Sequence, residues 1–149
     1  MRTVRDETGD RFLLVKRSAD ASLVRDPETG TERYVDNERL EPVEGASRLE
    51  TVAEGVPEPV RRITTAVHDD RSLGLLIDLV DSGPLAVRTL LALDEYCESD
   101  LHGQLAEFRA ADLVTETTVQ GERGYEATDL ARDGVARLRT GGDRDDTDG

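Results

Sequence analysis

Few side chains in this chain are equipped for chemistry. It has one thiol, Cys97, and two imidazoles, His68 and His102. His68 stands beside Asp69 and Asp70, and His102 two positions after Asp100, so each group offers nitrogen and oxygen donors to a metal. Two imidazoles with scattered acids fall short of four ligands at zinc spacing, and a solvated polar loop accounts for both groups. Cys97 would sense oxidation if its thiol were acidified; a lone cysteine also packs as a small buried hydrophobe. One Cys excludes an internal disulfide. No Gly-rich phosphate loop, nucleophile elbow or spaced His–carboxylate set is present. With 33 Asp and Glu in 149 residues, paired carboxylates occur throughout and identify nothing. The reactive groups therefore predict no enzyme, no bound metal and no cofactor.

Cys97 and His102 sit inside the most informative stretch, Leu73 to Leu138. It opens with Leu73, Leu75, Leu76, Ile77, Leu79 and Val80, and Asp81-Ser82-Gly83-Pro84 breaks that run, Gly ending one helix and Pro opening the next. A second helix carries Val87, Leu90, Leu91 and Leu93. Cys97-Glu98-Ser99 reads as a turn with Ser99 as N-cap. In a third helix Leu101, Leu105 and Phe108 follow at i, i+4, i+7, one buried face. Two strands, Val114–Val119 and Tyr125–Thr128, flank the loop 120–124 as a hairpin. A last helix spans about Asp129 to Arg139, with Leu130, Val135 and Leu138 inward.

Helix, helix, helix, hairpin, helix is an order that resembles the winged helix–turn–helix domain of small MarR-, ArsR- and PadR-type regulators. Two segments carry the resemblance. Leu105-Ala106-Glu107-Phe108-Arg109-Ala110-Ala111-Asp112-Leu113-Val114 is similar to a recognition helix running into the wing. Tyr125-Glu126-Ala127-Thr128-Asp129-Leu130-Ala131 is similar to the return strand entering the final helix. The family usually has Gly where this chain has Asp112, and Asp tolerates the left-handed region better than most residues.

The resemblance implies double-stranded DNA as partner, bound by a homodimer with two third helices in successive major grooves. Carried over, Asp100, His102, Gly103, Gln104, Glu107 and Arg109 lie on or near the outward face, and Ser99 at its start. Gln104 would read adenine, His102 would donate to a base edge or phosphate, Arg123 at the wing tip would hold the backbone, and Arg88 would touch it from the second helix. Winged helices also dock proteins, so fold alone does not decide function.

Charge weighs against the DNA expectation. The net charge is −14, and Lys16 is the one Lys among 19 basic residues. Residues 68 to 140 hold seven Arg and fifteen acids, whereas residues 1 to 67 hold eleven bases and fourteen acids. DNA binding normally rests on phosphate neutralisation, and the half that should bind is the more acidic. The composition resembles that of cytoplasmic proteins of extreme halophiles, with an acidic mesophilic protein as the alternative. At molar salt the Debye length is about 3 Å, which weakens repulsion and attraction alike. Sequence-specific DNA binding in transcriptional regulation is still the expected function, and a protein–protein interaction module without nucleic acid is the competing reading.

The first 45 residues read as β-structure. Arg11–Arg17 is the strongest strand, after the turn signal Glu7-Thr8-Gly9-Asp10, and Ala21–Arg25 and Thr31–Val35 flank Asp26-Pro27-Glu28-Thr29-Gly30. Leu40-Glu41-Pro42-Val43 suits an edge, where Pro is tolerated. Such a meander holds little core alone and is expected to pack on the helical half or on a partner chain. Ala46–Gly55 reads as a short helix or loop. Pro59 suits the first turn of a helix carrying Val60, Ile63 and Val67, a further core element or a dimer contact. His68–Ser72 reads as a polar break.

These readings give an α+β chain: an antiparallel β-meander at 1–45, a linker with one or two helices at 46–72, a winged helix–turn–helix at 73–140 and a disordered acidic tail at 141–149. The N-terminus carries no signal-peptide pattern and no apolar run spans a bilayer. A soluble, cytoplasmic protein is expected.

Overall fold

The computed structural model describes residues 2–143. The chain is α+β, with antiparallel sheets and six helices among the described residues. It divides into two units, Met1–Pro57 and Glu58–Gly149.

In the first unit β1 (Arg2–Arg5), β2 (Arg11–Arg17), β3 (Ala21–Arg25), β4 (Glu32–Asp36) and β5 (Glu41–Pro42) form one sheet in the order β4-β3-β2-β1-β5. Alternation sends Val4, Phe12, Val24 and Val35 to one face, where they form a small core joined by Leu14 and Leu40. Thr3 and Leu13, partners across β1 and β2, face the other way. The helix α1 (Arg48–Ala53) packs on these strands, and the buried Thr51 hydroxyl meets that of Thr3 at 2.7 Å. Ser47 caps α1 by accepting from the Glu50 amide. The turn after β3 closes because Asp26 Oδ1 accepts from the Glu28 amide and Gly30 takes φ +75. Pro42 sits on the edge strand, paired with Val4. The sequence reading misses β1, whose four residues hold one buried aliphatic between arginines.

The second unit contains α2 (Glu58–Ala66), α3 (Asp70–Ser82), β6 (Leu85–Ala86), α4 (Val87–Ala92), α5 (Glu98–Ala110), β7 (Val114–Val119), β8 (Glu122–Ala127) and α6 (Asp129–Asp143). Its core gathers Leu75, Leu76 and Leu79 of α3, Leu90 of α4, Leu101, Leu105 and Phe108 of α5, and Ala131 and Val135 of α6. Ile63 and Ala66 of α2 are buried in the same core, so this helix is an element of the unit's own interior. Gly134 permits the close approach of α2, since a Cβ there would lie 2.6 Å from Ile63 Cδ1 and 2.8 Å from the Pro59 carbonyl oxygen.

Four local expectations are corrected. His68–Ser72 is the start of α3 and no mere break: Asp69 accepts from the Ser72 amide while the Ser72 hydroxyl accepts from the Asp69 amide, the reciprocal capping box. Pro84 leads into β6, which pairs with β8 as Leu85↔Tyr125 and Ala86↔Gly124, before α4 begins. The N-cap of α5 is Cys97, and Ser99 lies inside its first turn. Leu138 is 45% exposed, because α6 runs past the end of the core by then.

The hairpin is tighter than the sequence suggests. Val119 pairs with Glu122 around Gln120 and Gly121, both at positive φ, which is the two-residue turn whose twist suits antiparallel strands. Asp112 takes φ +66 at the exit of α5, in the left-handed region expected of it. The acidic tail expected at 141–149 lies outside the described residues from 144 onward, and α6 reaches Asp143.

Candidate interaction surface

Three exposed arginines meet two carboxylates where α4, α5 and the hairpin come together. On β7, Glu116 Oε1 accepts from Arg123 Nη2 at 2.6 Å and lies 3.4 Å from Arg109 Nη1 of α5. The buried Tyr125 hydroxyl joins them, accepting from Arg123 at 3.0 Å and lying 3.3 Å from Glu116. Arg88 of α4 pairs with Glu122 of β8 at 2.8 Å. The Arg123 hydrogen bond holds the Glu116 carboxyl below the ordinary range, with the Arg109 charge adding to it, and Glu116 in turn raises Arg123.

Along α5 the apolar side points inward and a polar side outward. Gln104 turns its amide toward α2, donating to the Ala66 carbonyl at 2.8 Å, one of the carbonyls a helix end leaves without an intrahelical donor. His68 Nε2 and Glu107 Oε2 meet at 2.6 Å, and Asp69 is occupied as a cap. His102 is half-buried and makes no hydrogen bond or ion pair among the described residues. No group of three or more metal-capable side chains converges among them. Cys97 is exposed, contrary to the buried alternative, and its Sγ lies 3.5 Å from Ser99 Oγ.

The structure thus brings Arg88, Arg109 and Arg123 to neighbouring elements, each against a carboxylate, and leaves Ser99 and His102 along α5. Sequence reasoning misses Glu116 as the shared acceptor. Its signal is alternation: Glu116 and Arg123 are both hairpin residues, and diagonal neighbours on one face are within reach of long side chains. A second missed feature is Arg71, whose guanidinium lies 4.4 Å from the centroid of the Tyr96 ring. Burial raises the Tyr96 phenol above its ordinary value, against the opposing pull of Arg71.

No helix among the described residues is long and apolar enough to cross a membrane. The chain belongs to a family of unknown function (DUF7346), whose sequence profile matches residues 1–139. No curated protein and no solved structure matches it.

Proposed function

We propose that the second unit is a winged helix–turn–helix whose outward face docks another protein through that protein's basic surface. The winged reading is supported by the order α3-β6-α4-α5-β7-β8 and by the short strand before the second helix pairing with the far strand of the hairpin. One observation carries the docking reading. The segment 98–127, which holds α5 and the hairpin, carries seven carboxylates and two arginines, and both arginines share Glu116. Elements of this charge repel phosphates and attract cationic side chains.

Double-stranded DNA is the second reading. Arg88, Arg109 and Arg123 are held by exposed ion pairs, which contribute only about 0–1 kcal/mol each, so phosphates exchange with the carboxylates at small cost. In this reading a symmetric dimer presents two α5 helices to successive major grooves, with Ser99 and His102 nearest the bases and Arg123 on the backbone; Gln104, expected to read adenine, is instead tied to the Ala66 carbonyl at 2.8 Å.

The two separate by fluorescence anisotropy of the folded protein against genomic DNA fragments, beside capture of partners by wild type and by Glu98→Lys/Asp100→Lys. No DNA binding, with a captured partner lost on charge reversal, is the expected result. Saturable binding of a subset of fragments, weakened by Arg123→Ala, overturns the docking reading in favour of DNA.

A further inference from the structure

Between α3, α4 and the entry to α5 lies a cavity of about 290 Å3, walled by Leu75, Leu90, Leu93, Leu101 and the ring of Tyr96. That is at the small end of the roughly 300–1,000 Å3 typical of small-molecule sites. Leu93 is 52% exposed at this place, apolar surface left in water.

Gly74 lines the same cavity from the middle of α3. A glycine there weakens a helix by about 1 kcal/mol relative to alanine, and a Cβ at this position would meet no atom within 4 Å. A side chain at this position would therefore enter the open space of the cavity and would meet no tight contact. Gly134 on α6 is the contrast, where backbone from α2 occupies the room.

The charges at the cavity set the kind of occupant. Arg71, Asp78 and Glu95 all line it. The Arg71 guanidinium is settled on the Tyr96 ring face at 4.4 Å, a favourable cation–π arrangement. Asp78 and Glu95 have neither ion pair nor hydrogen bond among the described residues, whereas Asp81, Glu107, Glu116 and Glu122 are each paired. The unbalanced charge beside the apolar walls is negative.

We propose that this cavity binds a small organic cation with an aromatic or branched apolar body. The body fills the space under Leu75, Leu90, Leu93 and Leu101, and Asp78 and Glu95 supply the countercharge. An anion is disfavoured, since the one cation present is engaged by Tyr96 and flanked by two carboxylates. The inference stands whether the outward face of α5 docks protein or DNA, because it uses a different set of residues.

The test is a titration of the 15N-labelled full chain with 2-phenylethylammonium, with 2-phenylethanol and 3-phenylpropionate as neutral and anionic counterparts, at a salt concentration that keeps the protein folded. The amides of Gly74, Leu90, Leu93, Tyr96 and Leu101 are expected to shift saturably with the cation. Asp78→Asn/Glu95→Gln, exposed changes that leave the core untouched, remove both countercharges and should weaken binding at least about tenfold. Gly74→Leu should abolish the shifts while preserving the dispersed spectrum; should it unfold, Gly74→Ala serves, with a partial loss expected. Absence of saturation, binding unchanged in the folded plugged variant, or tighter binding of 3-phenylpropionate would each overturn the proposal.

Discussion

Glu116 Oε1 and Arg123 Nη2 lie 2.6 Å apart across the hairpin, and Arg109 of α5 reaches the same carboxylate oxygen at 3.4 Å. One acid on β7 thereby governs the guanidiniums of a strand and a helix. Glu116→Gln removes the shared negative charge and leaves both arginines in place. Where the DNA reading holds, the variant elutes later than wild type from heparin at modest salt and Arg123→Ala earlier; where the docking reading holds, all three elute together. Each arginine lost should lower the slope of log affinity against log salt by about one. Identical elution of all three proteins would remove the hairpin from any polyanion contact.

Acid should weaken the fold through three named carboxyls. The Ser72 amide holds Asp69 down, Arg139 holds Asp81 down, and Arg123 holds Glu116 down. A carboxyl whose folded pKa is depressed contributes stability that is fully present above its unfolded pKa. That contribution is lost as the pH falls through the folded value. The melting temperature is therefore expected to be level near neutrality and to fall below the ordinary carboxylate range, near pH 4. Thermal melts at a series of pH values check this, and Asp81→Asn should flatten the acid limb. A melting temperature that rises in acid would mean that relief of the net negative charge outweighs these bonds.

The same substitution should have opposite signs on two helices. Gly134→Ala puts a methyl 2.6 Å from Ile63 Cδ1 and 2.8 Å from the Pro59 carbonyl oxygen, and overpacking of this kind costs about 1–3 kcal/mol. Gly103→Ala on α5 meets nothing within 4 Å and should add about 0.5–1 kcal/mol through helix propensity. Urea midpoints of the two variants decide it. If both stabilise, α2 and α6 are not in close contact in solution.

Thr128 joins the hairpin to α6. Its hydroxyl accepts from the Ala131 amide at 3.1 Å and donates to the Asp112 carbonyl at 2.8 Å. Thr128→Ala leaves the α6 amide without its cap and should cost about 1 kcal/mol. The expected reading is a lower urea midpoint with an unchanged slope.

The helices α3 and α5 are legible in the sequence because Leu75, Leu76 and Leu79, then Leu101, Leu105 and Phe108, repeat at helical spacing and all are buried. Asp112 is legible too, since a left-handed exit from a helix needs a residue that tolerates positive φ, and Asp112 has φ +66. What escapes is short or paired at long range. β6 is two residues long, below any detectable period, and exists only because β8 offers an edge. Leu138 keeps the inward spacing of Val135, yet spacing does not tell where the core ends. At the site, the arginines can be read as candidates, but their partners cannot: in so acidic a chain any of many carboxylates could have faced Arg123, and the strand register selects Glu116.

The pairing of β6 with β8 has a kinetic consequence. Leu85 and Tyr125 are about forty positions apart, whereas β7 and β8 are joined by a two-residue turn. A hairpin closes in about 1–10 μs, but its third strand can be added only after α4 and α5 have been laid down between the two partners. Closing the longer loop brings little reward until that late contact forms. The slow step in refolding of this unit should therefore be the docking of Leu85 and Ala86, with the helices and the hairpin already formed.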